Sequence, residues 1–390
     1  MNPNTPPLQW DIFCRVIDNF GDIGVCWRLA HILQNHYGQT VRLWVDQPAA
    51  LTALHPSVNA ALNQQWVQNI QVCIWSDQPH SFSQQHFAQP QLPHVVIEAF
   101  GCDLPAPYVL AMQHTQPQPI WINLEYFSAE PWVAGVHGLP SKQANGMDKY
   151  FFFPSVLPHA GGLMRETNLL SLRDAFINQQ DTYQAWCKAF NVPLPLKNHF
   201  KISLFAYQNS ALTALFTLWA TGSEPVQVYL PQGQFLPLAQ AYFDQPLHAG
   251  QTVVTGQLTL HVLAFLPQSE YDKLLWLCDL NFVRGEESMV RAQWAAKPFI
   301  WHIYPTDDLA HFDKLAAFLE LYTQTLNPTA RTALVEFMQQ WNHQTIESAS
   351  WSAFRQAWPT LTQHSAAWVS YLDNLGELTA NLVKMVQSKR

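Results

Sequence analysis

Asp18 and Asp22 stand four residues apart in the run Asp18-Asn-Phe-Gly-Asp-Ile-Gly24, between a strand-like stretch, Gln9–Ile17, and a helix-like one, Val25–Tyr37. A carboxylate can take a proton or hold a cation. On a loop at the carboxyl end of a first strand it stands where open α/β sheets bind their ligands. Gly21 and Gly24 would let that loop turn tightly and let a ligand come close to the backbone. The plain structural alternative is that Asp22 caps the helix, since Asp is a favoured N-cap.

A second glycine turn, Arg284-Gly-Glu-Glu-Ser288, follows the strand-like Asp279–Val283 and precedes an amphipathic stretch, Met289–Ala296. The free N–H groups of a helix N-terminus bind anions, and the helix dipole adds to the effect. With the guanidinium of Arg284, the backbone at Gly285 and the hydroxyl of Ser288, this turn could cradle a diphosphate. Two glutamates would repel phosphate, so Glu286 or Glu287 should face something else, such as the hydroxyls of a sugar or nucleoside. The alternative is a capped helix with acidic residues well placed in its first turn. Phe205 and Tyr207 end one strand-like run, and Phe265 and Gln268 end another. Aromatic faces could stack on a nucleobase there, and the amide could read its polar edge.

Composition narrows the partners. The net charge is −8 and no Lys/Arg run occurs, so the basic footprint of a nucleic-acid-binding protein is missing. Six scattered cysteines without a C-x-x-C pair point to free thiols in a reducing compartment. The first nine residues carry neither Lys nor Arg nor an apolar run, so no signal peptide is expected. The charge-free run 202–222 is interrupted by Gln208, Asn209 and Ser210. It reads as strand, loop and helix, not as a membrane span. No zinc-protease, Walker A, nucleophile-elbow or dinucleotide-binding signature is present, and the 16 histidines show no ligand spacing.

These residues need elements to hold them. Apolar runs at 9–17, 41–45, 70–75, 94–99 and 119–124 lack period-two alternation, as strands buried on both faces do. Helix-like segments at 25–37, 48–54 and 105–113 separate them. A less regular region, 128–168, and a helix-like 170–190 follow. Asn191-Val-Pro-Leu-Pro-Leu-Lys197, with two prolines, reads as a linker. A second α/β series has strands at 200–207, 227–230, 258–264, 280–283 and 299–303, then a helical tail. A chain of 390 residues exceeds one ordinary core. The expectation is a bilobal α/β enzyme with Rossmann-like lobes at 1–190 and 199–365, a linker at 191–198, and a cleft between the lobes.

The run Asp11-Ile-Phe-Cys-Arg-Val-Ile-Asp-Asn-Phe-Gly-Asp-Ile-Gly-Val-Cys-Trp-Arg28 resembles the opening of the EarP family, and Arg284-Gly-Glu-Glu-Ser288 resembles its donor-site motif. EarP proteins are bacterial arginine rhamnosyltransferases that modify translation elongation factor P. The resemblance implies a GT-B glycosyltransferase fold, two Rossmann-like lobes facing a central cleft, with a C-terminal helix, 366–390, packing back on the first lobe. It implies a cytoplasmic, metal-independent, inverting transfer of L-rhamnose from dTDP-β-L-rhamnose to an arginine of elongation factor P, activating that factor for ribosomes stalled at polyproline. Within the match, Asp22 falls on the base, Asp18 on its partner and Glu286 on the catalytic glutamate, with Glu287 an alternative one place on. Phe205, Tyr207, Phe265, Gln268, Arg284, Gly285, Glu287 and Ser288 fall on the nucleotide-sugar pocket. Asn19 and Phe20 fall on the acceptor side. The rival readings are a transferase or epimerase using another sugar nucleotide, and a protein that grips elongation factor P without modifying it.

Overall fold

The computed structural model describes residues 6–18, 20–75 and 92–390. The chain divides into two compact units, one formed by residues up to Thr167 together with Leu372–Arg390, the other by Asn168–Tyr371.

The first unit carries an eight-stranded sheet: β1 (Gln9–Cys14), β2 (Thr40–Val45), β3 (Gln64–Val67), β4 (Ile70–Ile74), β5 (Val95–Ala99), β6 (Ile120–Leu124), β7 (Pro140–Lys142) and β8 (Asp148–Phe152). The order is β3-β4-β2-β1-β5-β6-β8-β7. The pairs from β4 to β8 are parallel, and the edge pairs β3/β4 and β7/β8 are antiparallel. The central strands are buried along their length, every residue of β5 for example, which is why their sequences are continuous apolar runs. β1 has β2 on one side and β5 on the other, so the strand order reverses there. That switch point opens the crevice at the strands' carboxyl ends.

The second unit repeats the plan with six strands: β9 (Phe200–Leu204), β10 (Val226–Pro231), β11 (Thr252–Thr255), β12 (Leu258–Leu263), β13 (Leu280–Arg284) and β14 (Phe299–His302), in the order β11-β12-β10-β9-β13-β14. Only β11 runs antiparallel to its neighbour. Its switch point lies between β9 and β13.

Four expectations change. The helix after β1 spans Gly21–Tyr37, so Gly21 and Gly24 lie in its first turns, not on a loop. Its N-cap residue is Phe20, without a side-chain cap, so the alternative in which Asp22 caps the helix does not hold: its carboxylate reaches back to the N–H groups of Ile17 and Asp18. The helix expected at 170–190 is two, Leu169–Asn178 and Gln180–Ala189, parted by the extended backbone of Gln179. The break lets Phe176 meet both Trp186 and Trp276 edge-on. The boundary expected at 190 falls instead between Thr167 and Asn168, because these two helices pack on second-unit residues. Trp186 Nε1 donates to Glu270 at 2.8 Å, and Arg173 Nη1 to the carbonyl of Trp294 at 2.8 Å.

The proline-bearing 191–198 is likewise no free linker. Gln227, fully buried on β10, accepts from the N–H of Leu196 at 2.8 Å and donates to the carbonyl of Leu194 at 3.0 Å. Tyr229 donates to the carbonyl of Pro193 at 3.0 Å. The segment is strapped to the second sheet.

The tail forms helices Trp358–Leu375 and Leu378–Lys389. Leu378, Leu382, Val383 and Val386 of the last helix join the core of the first unit beside Trp10 and Ile12. All six cysteines are unpaired and buried. Among the described residues, no helix is long and apolar enough to cross a membrane.

Candidate active site

In the first unit the site grows from Asp22, which is 2% exposed. Its Oδ2 accepts the backbone N–H of Ile17 at 2.7 Å and of Asp18 at 2.9 Å. The carboxylate therefore fixes the segment that leads from β1 into the helix. Its Oδ1 accepts the hydroxyl of Tyr126 at 3.2 Å. Burial raises the carboxyl's pKa above the ordinary value, while these hydrogen bonds oppose the rise and the neighbouring charge of Asp18 adds to it. Asp18 is half-buried, and a Cβ on Gly21 would stand 2.9 Å from its Oδ2. Glycine at 21 thus leaves room for the Asp18 carboxylate. Phe20 packs against the apolar core. Asn19 lies outside the described residues.

Tyr126 follows the carboxyl end of β6 and was not among the sequence candidates. Its ring stacks on Phe100, which follows β5, with centroids 4.3 Å apart and planes 15° apart. Position after a strand's end was the one signal that could have found either residue.

In the second unit the segments after β9, β12 and β13 carry the expected pocket residues. Phe205 and Tyr207 follow β9. The guanidinium of Arg284, the last residue of β13, lies over both rings, 4.4 Å and 5.0 Å from their centroids. Such cation–π contacts hold an arginine at a fixed height over its rings. Gly285 takes φ +58°, a left-handed conformation suited to glycine, and its carbonyl accepts from Trp301 Nε1 at 2.6 Å. The helix Glu287–Trp294 starts at this turn.

The Ser288 hydroxyl is not free as the sequence reading expected. It donates to the carbonyl of Arg284 at 2.6 Å and accepts that residue's N–H at 3.0 Å, so it closes the turn. The two glutamates have separate partners. Glu286 pairs with Lys314 Nζ at 2.7 Å, both side chains largely buried. Glu287 accepts from Gln268 Nε2 at 2.9 Å, which ties the loops after β12 and β13 together. Phe265 is 37% exposed. Lys314, on helix Ala310–Tyr322, had no signal in the sequence, since a lysine on a long amphipathic helix is ordinarily solvated. Among the described residues, no cluster of three or more His, Cys, Asp or Glu is arranged to hold a metal ion.

Two doubly wound α/β units, each with its chemistry-bearing side chains at the sheet's switch point, define the GT-B class of glycosyltransferases. The fold of MurG from Acinetobacter baumannii agrees, with a TM-score of 0.53 at 15% identity over 98% of this chain and 100% of that one. A solved structure described as the structural basis for EarP-mediated arginine glycosylation of translation elongation factor EF-P is closer, with a TM-score of 0.68 and 31% identity over 98% of this chain and all of that one. A protein-arginine rhamnosyltransferase of Pseudomonas putida is 45% identical over 349 residues, 89% of this chain and 90% of that protein. One of Shewanella oneidensis is 42% identical over 340 residues, 84% of each. Residues 10–387 match the family described as Elongation-Factor P (EF-P) rhamnosyltransferase EarP. The chain belongs to that family, and it is a glycosyltransferase.

Proposed function

We propose that this enzyme transfers L-rhamnose from dTDP-β-L-rhamnose to an arginine of elongation factor P, inverting the anomeric carbon, as part of equipping that factor for ribosomes stalled at polyproline in the cytoplasm. The observation that carries the reading is the Asp22 carboxylate. It is buried at the β1 switch point, with a geometry fixed by two backbone donors and one hydroxyl.

The chemical difficulty is the nucleophile. A guanidinium has a pKa above about 12 and no ready lone pair. Asp22 accepts a hydrogen bond from one guanidinium N–H and draws its charge. As the C–N bond to the anomeric carbon forms, the proton on that nitrogen passes to Asp22, and the bond from the anomeric carbon to the diphosphate oxygen breaks. Burial lifts the affinity of Asp22 for that proton, which moves it toward the pKa a general base needs near neutral pH. Asp18 holds the guanidinium's remaining face.

On the donor side, Phe205, Tyr207 and Phe265 take the thymine and ribose, and Gln268 and Glu287 act as one hydrogen-bonded reader. The first turn of helix Glu287–Trp294 and the charge of Arg284 stabilise the diphosphate leaving group, as preorganised donors do. These positive ends take the place of a divalent cation, so no metal is required. Glu286, held by Lys314, orients the sugar.

The test is the intact mass of elongation factor P after incubation with enzyme and dTDP-rhamnose in excess EDTA. The expected result is a gain of one deoxyhexosyl unit, lost when the acceptor arginine is replaced by lysine. It should fall at least about 10²-fold in rate with Asp22→Ala, the usual loss for a general base. No mass gain with intact protein would refute the transfer, and a gain that needs added Mg²⁺ or Mn²⁺ would refute the metal-free leaving-group account.

A further inference from the structure

A carboxylate offers about four lone-pair positions. On Asp22 three are filled: both on Oδ2 by the N–H groups of Ile17 and Asp18, and one on Oδ1 by the Tyr126 hydroxyl. One position on Oδ1 is left. The backbone donors on Oδ2 come from the segment just before the Asp22 helix, but the donor on Oδ1 comes from the segment after another strand, β6. It is the placement of Tyr126 that selects which lone pair faces a ligand.

That placement is braced. Phe100 lies flat on the Tyr126 ring and takes φ +58°, a conformation unusual for a bulky side chain. The left-handed turn continues through Gly101 and Asp103. It is held by the Phe100 N–H on the carbonyl of Leu124 at 2.7 Å, the Gly101 N–H on Asn123 Oδ1 at 3.0 Å, and the Asp103 N–H on Glu98 Oε1 at 3.2 Å. The first two bonds tie the ends of β5 and β6 to each other and the third closes the turn on β5 itself, and an outlier so held beside a candidate base invites a functional reading.

We propose that Tyr126, braced by the left-handed Phe100, is a positioning residue for glycosyl transfer: its hydroxyl fixes Oδ1 of Asp22 so that a single lone pair is presented to the acceptor guanidinium. The inference rests on the reading of Asp22 as the base. It makes the contact between Asp22 and the guanidinium a single directed hydrogen bond, not a two-pronged fork, so alignment of that one bond governs the rate.

The titratable groups facing Asp22 are Asp18 from the preceding turn, Cys14 from the end of β1 and Tyr126. The Tyr126 bond stabilises the ionised carboxylate, so its loss leaves Asp22 protonated to higher pH. The experiment compares full-length wild type, Tyr126→Phe, Phe100→Leu and Asp22→Asn, with elongation factor P and dTDP-rhamnose. Tyr126→Phe keeps the ring and its stacking. It is expected to lower kcat about tenfold, the usual effect of one hydrogen bond to a charged group. The donor KM should be unchanged, and the acid limb of kcat/KM should move to higher pH. Phe100→Leu should move kcat and the acid limb in the same direction by less. A Tyr126→Phe enzyme with wild-type kcat and a superimposable pH profile, beside an inactive Asp22→Asn, would overturn the role of Tyr126 alone. So would a loss confined to donor KM. An active Asp22→Asn enzyme would instead remove the base itself, and the inference with it.

Discussion

His302 closes β14 directly across from Arg284 on β13. It is 5% exposed, its ring meets Tyr207 edge-on at 5.4 Å, and its Nδ1 is buried without a hydrogen-bond partner. Burial first, then the charges of Arg284 and His311, pull its pKa from the ordinary 6.5 to about 3. Beside the proposed nucleotide residues the imidazole is therefore neutral near pH 7. The unfolded chain takes up a proton near pH 6.5 and the native one only near 3, so between these values the unfolded state binds more protons. The contribution of His302 is complete above about pH 6.5 and is lost as the pH falls toward 3, at up to about 1.4 kcal/mol per pH unit. Urea unfolding of the wild-type second unit should lose stability between pH 7.5 and 5, and His302→Phe should flatten that slope. Equal slopes in the two proteins would show that another group titrates there. None of this was legible in the sequence, where sixteen scattered histidines look alike.

Elements were legible where burial on both faces writes itself into composition. β1, β2, β4, β5 and β6, with β9, β10, β12, β13 and β14, coincide with the apolar runs. Of the strands that escaped, β3, β7 and β11 have three or four residues, and in all four, β8 included, most residues stay in partial contact with solvent. Gln64-Gln-Trp-Val67 and Pro140-Ser-Lys142 carry no apolar run to read. The helix start at Gly21 was hidden for another reason: it depends on a carboxylate that bonds the chain behind it. The 191–198 segment shows the same limit. Its prolines mark a break, but only the fold shows that Gln227 fastens it. Gln227 also shares its amide with His261 Nε2 at 2.9 Å. Gln227→Ala should leave the Leu196 N–H and the Leu194 carbonyl unpaired and cost the second unit about 1–3 kcal/mol, read as a lower urea midpoint, with dTDP affinity at 25 °C unchanged. A loose hinge would instead tolerate the change without loss of stability.

At the scale of the whole molecule, the chain does not end in the unit it has just built. It leaves the second unit at Tyr371 and completes the first with Leu372–Arg390. The return is anchored at Glu377, whose carboxylate accepts the N–H groups of Thr379 and Ala380 as the cap of the last helix and also the hydroxyl of Tyr37. Leu378 N–H bonds the carbonyl of Leu163 at 3.1 Å. Gly162, at φ +76°, has no space for a Cβ, which would fall 2.3 Å from the Gly376 carbonyl. Beyond the anchor, Leu378, Leu382, Val383 and Val386 are each no more than 6% exposed. At about 1.5–3 kcal/mol for each buried side chain, four of them supply about 6–12 kcal/mol, comparable to the about 5–15 kcal/mol that holds a whole domain. The first unit should thus lose much of its stability on residues up to Thr167 alone, although every strand of its sheet lies there. A chain stopped after Gly376 should therefore lose cooperative unfolding of the first unit in calorimetry and lose transfer to elongation factor P. It should still bind dTDP by titration, because the proposed nucleotide residues belong to a unit that keeps all of its own core. A truncated protein whose first unit melts within a few degrees of wild type would show that the helix is ornament to that core, and a truncated protein that no longer binds dTDP would show that the two units are not separable in folding.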